Sequence, residues 1–103
     1  MSETLAPATL LFVDDEPGIL SSLRRLFRPH GYRILVAESG ALGLAELEKT
    51  PDDLVISDMR MPEMDGVAFL EKLREIQPNV ARMILSGYAD LKALIAAINR
   101  AEI

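Results

Sequence analysis

The 103-residue chain contains no cysteine. That excludes a disulfide framework and a thiolate zinc site. It has one histidine, His30, set in Pro29-His30-Gly31, which reads as a solvated turn rather than a ligand position. Basic residues are in the minority, and the formal charge is −5. A surface of that sign does not bind nucleic-acid phosphates in bulk. No apolar run approaches the ~20 residues that a membrane span needs. Residues 1 to 8 are polar and acidic, without the basic start and apolar stretch of a secretory signal. The expected location is therefore the cytoplasm, with no membrane partner. What the chain does have is a core: 50% of its residues are hydrophobic, enough for one domain over residues 1–103.

Apolar runs of strand length alternate with helical patterns along the chain. Thr9-Leu10-Leu11-Phe12-Val13 is the first strand, and it stops at Asp14-Asp15-Glu16. Pro17 then suits the first position of a helix, where its missing N–H costs nothing. Ile19, Leu20, Leu23, Leu26 and Phe27 fall at helical spacing, with Arg24, Arg25 and Arg28 opposite. Pro29 and Gly31 end that helix. Tyr32 to Ala37 is a second strand, and Ser39 caps a helix with Ala41, Leu44, Ala45 and Leu47 facing inward. The helix breaks at Pro51-Asp52.

Leu54-Val55-Ile56 then opens a third strand that ends in Asp58. A Met/Pro loop follows, in which Pro62 excludes both strand and helix interior. Asp65 caps a third helix from about Gly66 to Ile76, with Phe69, Leu70, Leu73 and Ile76 facing in. Arg82 to Ser86 is a fourth strand. Asp90 caps a fourth helix carrying Leu91, Leu94, Ile95 and Ile98. No repeat, linker or low-complexity tract interrupts this order.

Strand-helix alternation specifies an α/β fold with a doubly wound parallel sheet and right-handed crossovers. In such a sheet the carboxyl ends of all strands share one edge, where ligands bind. With the flavodoxin-like order 2-1-3-4, the strand ending in Asp14-Asp15 lies beside the one ending in Asp58. Three carboxylates then crowd together and repel one another. A divalent cation relieves that repulsion, and oxygen-only ligands select Mg²⁺, or Mn²⁺, over zinc. A carboxylate beside such an ion is a candidate nucleophile for phosphoryl transfer. Ser86, ending the neighbouring strand, is placed to donate to a phosphoryl oxygen. Taken singly, each of these residues has a plainer reading: Asp-Asp-Glu as a helix cap, Asp58 and Ser86 as turn residues. Their joint occurrence at three strand ends is what points to a site.

The stretches Leu11-Phe12-Val13-Asp14-Asp15-Glu16-Pro17, Leu54 to Gly66 with its Asp58-Met59-Arg60-Met61-Pro62 centre, and Ile84-Leu85-Ser86-Gly87-Tyr88-Ala89-Asp90 together resemble the receiver domain of bacterial two-component response regulators. The likeness runs from about Thr9 onward. It implies that Asp58 accepts phosphate from a sensor histidine kinase or phosphotransfer protein. It implies Mg²⁺ at Asp15, Asp58 and the backbone carbonyl of Arg60, with Asp14 acting through water. Ser86 would be the switch hydroxyl, and Arg60 and Tyr88 would tune the phosphate's lifetime. Such a domain catalyses only its own phosphorylation and dephosphorylation, and it controls an output domain, here expected beyond Ile103.

The family also has a fifth strand, with a lysine at its end, and a fifth helix. The sequence stops before both, and Lys49, Lys72 and Lys92 are not at strand ends. The expectation is a piece of a longer regulator whose uncovered edge associates as a dimer or by segment exchange. Two other functions compete. One is a receiver-like interaction domain that is never phosphorylated. The other is a Mg²⁺ phosphatase of the haloacid-dehalogenase kind, which wants a second Asp where this chain has Arg60.

Overall fold

The computed structural model describes residues 8–49 and 52–85. Four strands and three helices alternate: β1 (Thr9–Val13), α1 (Pro17–Phe27), β2 (Arg33–Ala37), α2 (Gly40–Lys49), β3 (Leu54–Asp58), α3 (Gly66–Ile76) and β4 (Ala81–Leu85). A short 3-10 turn, Arg28–His30, extends α1. All strand pairs are parallel, and the sheet order is β2-β1-β3-β4. This is the doubly wound order expected from the alternation. The expected fourth helix lies outside the described residues.

The strand period of two sorts the core into two layers. Leu10 and Phe12 of β1 and Ile56 of β3 face α1, where they meet Leu20, Leu23 and Phe27. Leu11 and Val13 of β1 and Val55 of β3 face the other way, against Leu47 of α2 and Phe69 and Leu73 of α3. Phe12 and Phe27 stack with ring centroids 5.4 Å apart. Burial of a side chain of that size stabilises the fold by roughly 1.5–3 kcal/mol. The central strands β1 and β3 are covered on both faces, which is why their sequences are continuous apolar runs rather than alternating ones.

Local signals set the helix ends. Pro17 is the first residue of α1. The Ser39 hydroxyl accepts the Leu42 N–H at 3.1 Å, and the Asp65 carboxylate accepts the Ala68 N–H at 2.8 Å. Each gives an acceptor to one of the N–H donors that a helix start leaves unpaired.

The helix faces are narrower than the sequence pattern suggested. Ile19, Leu26 and Ile76 are exposed, as are Ala41 and Ala45. Helix α1 packs through Leu20, Leu23 and Phe27, a single stripe at i, i+3, i+7. Its flanking apolar residues sit on the margin of that stripe. Helix α2 packs through Gly40, Gly43 and Leu47 instead of its alanines. A Cβ on Gly43 would lie 3.0 Å from the Phe69 ring and 3.1 Å from a Val13 methyl. The bare backbone is what lets α2 sit this close, so a glycine defines the inner face.

Candidate functional site

The last register pair between β1 and β3 is Val13↔Ser57. One step further along, Asp14 follows Val13 and Asp58 follows Ser57. By the same period of two, Asp14 shares the side of Phe12 and Asp58 that of Ile56, so both acids emerge on the α1 side. Asp15 is the first residue of the turn leading into α1. One oxygen from each of Asp14, Asp15 and Asp58 lies within 4.8 Å of the others. Among the described residues this is the group of acids close enough to share one cation.

Asp14 is buried, Asp58 half-buried and Asp15 exposed. The Asp14 N–H carries the β1–β2 ladder one residue past the strand, donating to Ala37 at 3.1 Å. One Asp14 oxygen accepts the Glu16 N–H at 2.9 Å. The acids before α1 therefore do not cap it: the N-cap residue, Glu16, makes no side-chain cap bond. Burial pushes the Asp14 carboxyl up to about 6, against the Glu16 amide, with the charges of Asp58, Asp15 and Glu16 adding to the rise. Burial also raises Asp58, as does the charge of Asp15, while the amides of Met59 and Arg60 and the Arg60 charge pull the other way. Two unit charges at such a separation repel by roughly 3 kcal/mol at an effective dielectric near 20.

The donor set answers whether a metal fits. Three carboxylates converge without a histidine or a thiolate, and burial and like charge make the ionised form of Asp14 and Asp58 costly. A hard, oxygen-seeking divalent ion is what such a set favours. Asp14, Asp15 and Asp58 are the residues that would hold it.

The loop after β3 is shaped by Gly66. Its N–H donates to the Met59 carbonyl at 2.9 Å. A Cβ at Gly66 would lie 2.2 Å from the Asp58 carbonyl oxygen, a backbone atom that has no room to yield. The start of α3 is thus pressed against the strand end that carries Asp58. Met61 is buried in the core on the α2/α3 face, and Met64 packs against the same cluster. Those methionines are packing residues, as their apolar chemistry suggests, while Met59 is 39% exposed. Glu63 takes the left-handed conformation, φ 69°. Arg60 is exposed in this loop. Ser86 and Tyr88 lie outside the described residues.

Sequence reasoning missed two residues here. Ser57 is fully buried, and its hydroxyl donates to the Asp58 carbonyl at 2.9 Å. Gly66 reads in sequence as part of a turn, and its contact with the Asp58 backbone is visible only in three dimensions. The one available signal for Ser57 was a hydroxyl in an otherwise apolar strand.

The chain matches the family described as the response regulator receiver domain over residues 10–102. It belongs to that family. It is 43% identical over 91 residues to the transcriptional regulatory protein GlrR of Escherichia coli (strain K12), covering 88% of this chain and 20% of GlrR. It is 38% identical over 96 residues to the hydrogenase transcriptional regulatory protein HoxA of Cupriavidus necator, covering 93% of this chain and 20% of that protein. This receiver domain thus spans about a fifth of the length of the curated relatives it matches. Among solved structures it is similar to the signal receiver domain of an HD domain-containing protein from Pseudomonas fluorescens Pf-5. The TM-score is 0.78 at 33% identity, covering 100% of this chain and 76% of that one. A phospho-accepting role in two-component signalling follows from membership. Receiver domains partner with histidine kinases, and the family typically binds Mg²⁺ at an acidic pocket. No helix among the described residues is long and apolar enough to cross a membrane.

Proposed function

We propose that Asp58 is the phospho-accepting residue of this receiver domain, with Asp14 and Asp15 as its acidic partners. The observation that carries this is the meeting of three carboxylates, from two adjacent strand ends, within 4.8 Å. In the forward step an Asp58 carboxylate oxygen attacks the phosphorus of a phosphohistidine. The P–N bond breaks as the P–O bond forms, and the imidazole departs with the electron pair. In dephosphorylation a water oxygen attacks phosphorus, the Asp58 O–P bond breaks, and inorganic phosphate leaves with the water proton going to solvent, restoring the carboxylate. A bound Mg²⁺ would supply neutralising charge to the phosphoryl oxygens.

The chain's own residues supply the rest. The central sheet fixes the Asp58 backbone, and the Asp58 carboxylate stands at the exposed sheet edge where a partner protein reaches it. Asp15, exposed beside it, would bind the ion directly, and Asp14, held by the Glu16 amide, would act through water. The Arg60 carbonyl would be a further ligand. Arg60 and Tyr88 would set how long the phosphate lasts, and Ser86 would be the hydroxyl drawn to it. The phosphate would then shift an equilibrium in an attached output domain. The chemistry is confined to the domain's own phosphorylation and dephosphorylation, and its setting is the cytoplasm. Self-association is proposed through β4, whose Ala81, Arg82 and Met83 are exposed. Sedimentation at high concentration checks it: one compact monomer refutes it.

The deciding experiment is incubation with acetyl phosphate and Mg²⁺, followed by intact and peptide mass measurement. Wild type gains one phosphoryl group on the peptide containing Asp58, and Asp58→Asn gains none. A wild-type chain that stays unmodified, and that binds no beryllofluoride, refutes the proposal in favour of an unphosphorylated interaction domain.

A further inference from the structure

The Asp58–Met59 peptide unit is fastened at each of its polar atoms. The carbonyl oxygen accepts the Ser57 hydroxyl at 2.9 Å. The same oxygen is backed by the Gly66 backbone so closely that no side chain fits between them. The N–H of that unit donates to the Leu85 carbonyl at 3.3 Å, at the end of β4. The next carbonyl, that of Met59, accepts the Gly66 N–H at 2.9 Å. Only one of these four fastenings comes from a side chain, and it is Ser57.

Ser57 is an odd choice for its position by packing alone. It is fully buried, on the sheet face where Val13 and Val55 join the α2/α3 core. A small apolar residue would serve that layer without the cost of burying a hydroxyl. The hydroxyl instead meets its need with the carbonyl of the very next residue. The Met59 N–H on the far side of the peptide donates to Leu85 at a long 3.3 Å. A tilt of the peptide would lengthen that bond further, and the hydroxyl, bonded to the carbonyl at its other end, opposes the tilt.

We infer that Ser57 is a positioning residue for Asp58, its buried hydroxyl clamping the peptide from which the reacting carboxylate hangs. The inference rests on the reading of Asp58 as phospho-acceptor. Ser57 touches neither phosphate nor ion. It acts by holding the carboxylate and the following amides in one orientation. It also couples them to the end of β4 through Leu85.

The test compares Ser57→Thr with Ser57→Val in the full chain. The two replacements have the same shape and differ only in the hydroxyl. In the metal-free protein, amide hydrogen exchange at Met59 is expected to stay near wild type in Thr and to rise in Val. With acetyl phosphate and Mg²⁺, the phosphorylation rate of Val is expected to fall below that of Thr by roughly three- to tenfold, the rate equivalent of one neutral hydrogen bond. Should Val fail to fold, Ser57→Ala, which removes only an oxygen, is measured against wild type with the same expected contrast. Equal Met59 exchange and equal rates in the hydroxyl and non-hydroxyl variants, with wild type phosphorylated, overturn this inference alone. A wild-type chain that takes no phosphate overturns the phospho-acceptor reading and the positioning role together.

Discussion

Both edges of the sheet carry neighbouring acids, and they are used in opposite ways. At the amino edge, the Asp53 carboxylate accepts the Thr9 N–H at 2.7 Å, and the Asp53 N–H donates to the Thr9 carbonyl at 2.9 Å. The Asp53 carbonyl accepts the Ala81 N–H at 3.4 Å, so one residue ties β3 to the starts of β1 and β4. At the carboxyl edge, Asp14, Asp15 and Asp58 point their oxygens at one another. An acid paired with backbone donors is a structural clamp. Acids that converge on one another favour a shared cation. Asp52 is an intermediate case: among the described residues both its buried oxygens lack a hydrogen-bond partner and it joins no trio of acids. Burial pushes it up to about 6, helped by Glu46 and Asp53 and opposed by Arg33.

The sharpest break between the edges is substitution of their acids. Asp58→Asn is expected to abolish phosphoryl uptake, whereas Asp53→Asn is expected to leave it at the wild-type level and weaken only the fold. Asp53→Ala is expected to cost about 1.5–3 kcal/mol in urea unfolding, the worth of a hydrogen bond to a charged group. A fall in phosphorylation that outruns the fall in stability for Asp53→Ala would erase the distinction.

Gly66→Ala probes the carboxyl edge from behind. Its Cβ has no space beside the Asp58 carbonyl, so the loop or the strand end must shift. Overpacking of that kind costs about 1–3 kcal/mol. Chemical denaturation measures it, and an unchanged midpoint would show that α3 moves freely away from β3. The equivalent change at the exposed Gly18 meets nothing within 4 Å and serves as the control.

The next contrast is in pH. Asp14 and Asp52 both rise from 3.8 to about 6 on folding. The folded state then holds more protons than the unfolded state between about pH 4 and 6, so stability falls as pH rises through that window and the penalty persists at neutrality. Partial solvent screening cuts each contribution to about 1 kcal/mol. Thermal melts from pH 4 to 7 check the slope. Saturating Mg²⁺ is expected to remove the Asp14 share and leave the Asp52 share. Asp52→Asn removes only the metal-independent part. A Mg²⁺ effect that vanishes in Asp52→Asn would mean the two edges have been assigned the wrong way round.

The smallest effect concerns strain. Glu63 holds a left-handed φ of 69° in the loop at the carboxyl edge. Glycine adopts that conformation without steric cost. Glu63→Gly is expected to stabilise by up to about 1 kcal/mol, read as a shift in melting temperature, because the relief exceeds the entropy lost. A clear destabilisation would show that the Glu63 side chain contributes more than its backbone costs.

The sequence carried most of the architecture because local and global signals agree. Val13 and Asp58 end β1 and β3 where the apolar runs give way, and Asp65 caps α3 where its spacing says it should. The carboxylate trio was legible too, since strand order alone brings Asp14 and Asp58 together. Side-chain facing was less so. Ile19 and Ile76 look like core residues in one dimension, but helix faces are cut by what the sheet leaves room for. Contacts made to backbone atoms escaped altogether. Nothing in a string of letters shows that Gly66 must lie on the Asp58 carbonyl, or that the Ser57 hydroxyl turns toward its own neighbour's oxygen. Both depend on how a loop closes, which hydrophobic patterning does not encode.

The pairing of β1 with β3 reaches across β2 in sequence, and Asp14 and Asp58 face each other only once it has formed. A chain emerging from the ribosome makes the first acids long before their companion. Nonlocal closures of this kind come late in folding. A copy in which that pairing has not formed keeps Asp14 and Asp58 apart and lacks the three-acid cluster. The sheet order thus makes the cluster a property of the finished fold and of no single stretch of sequence.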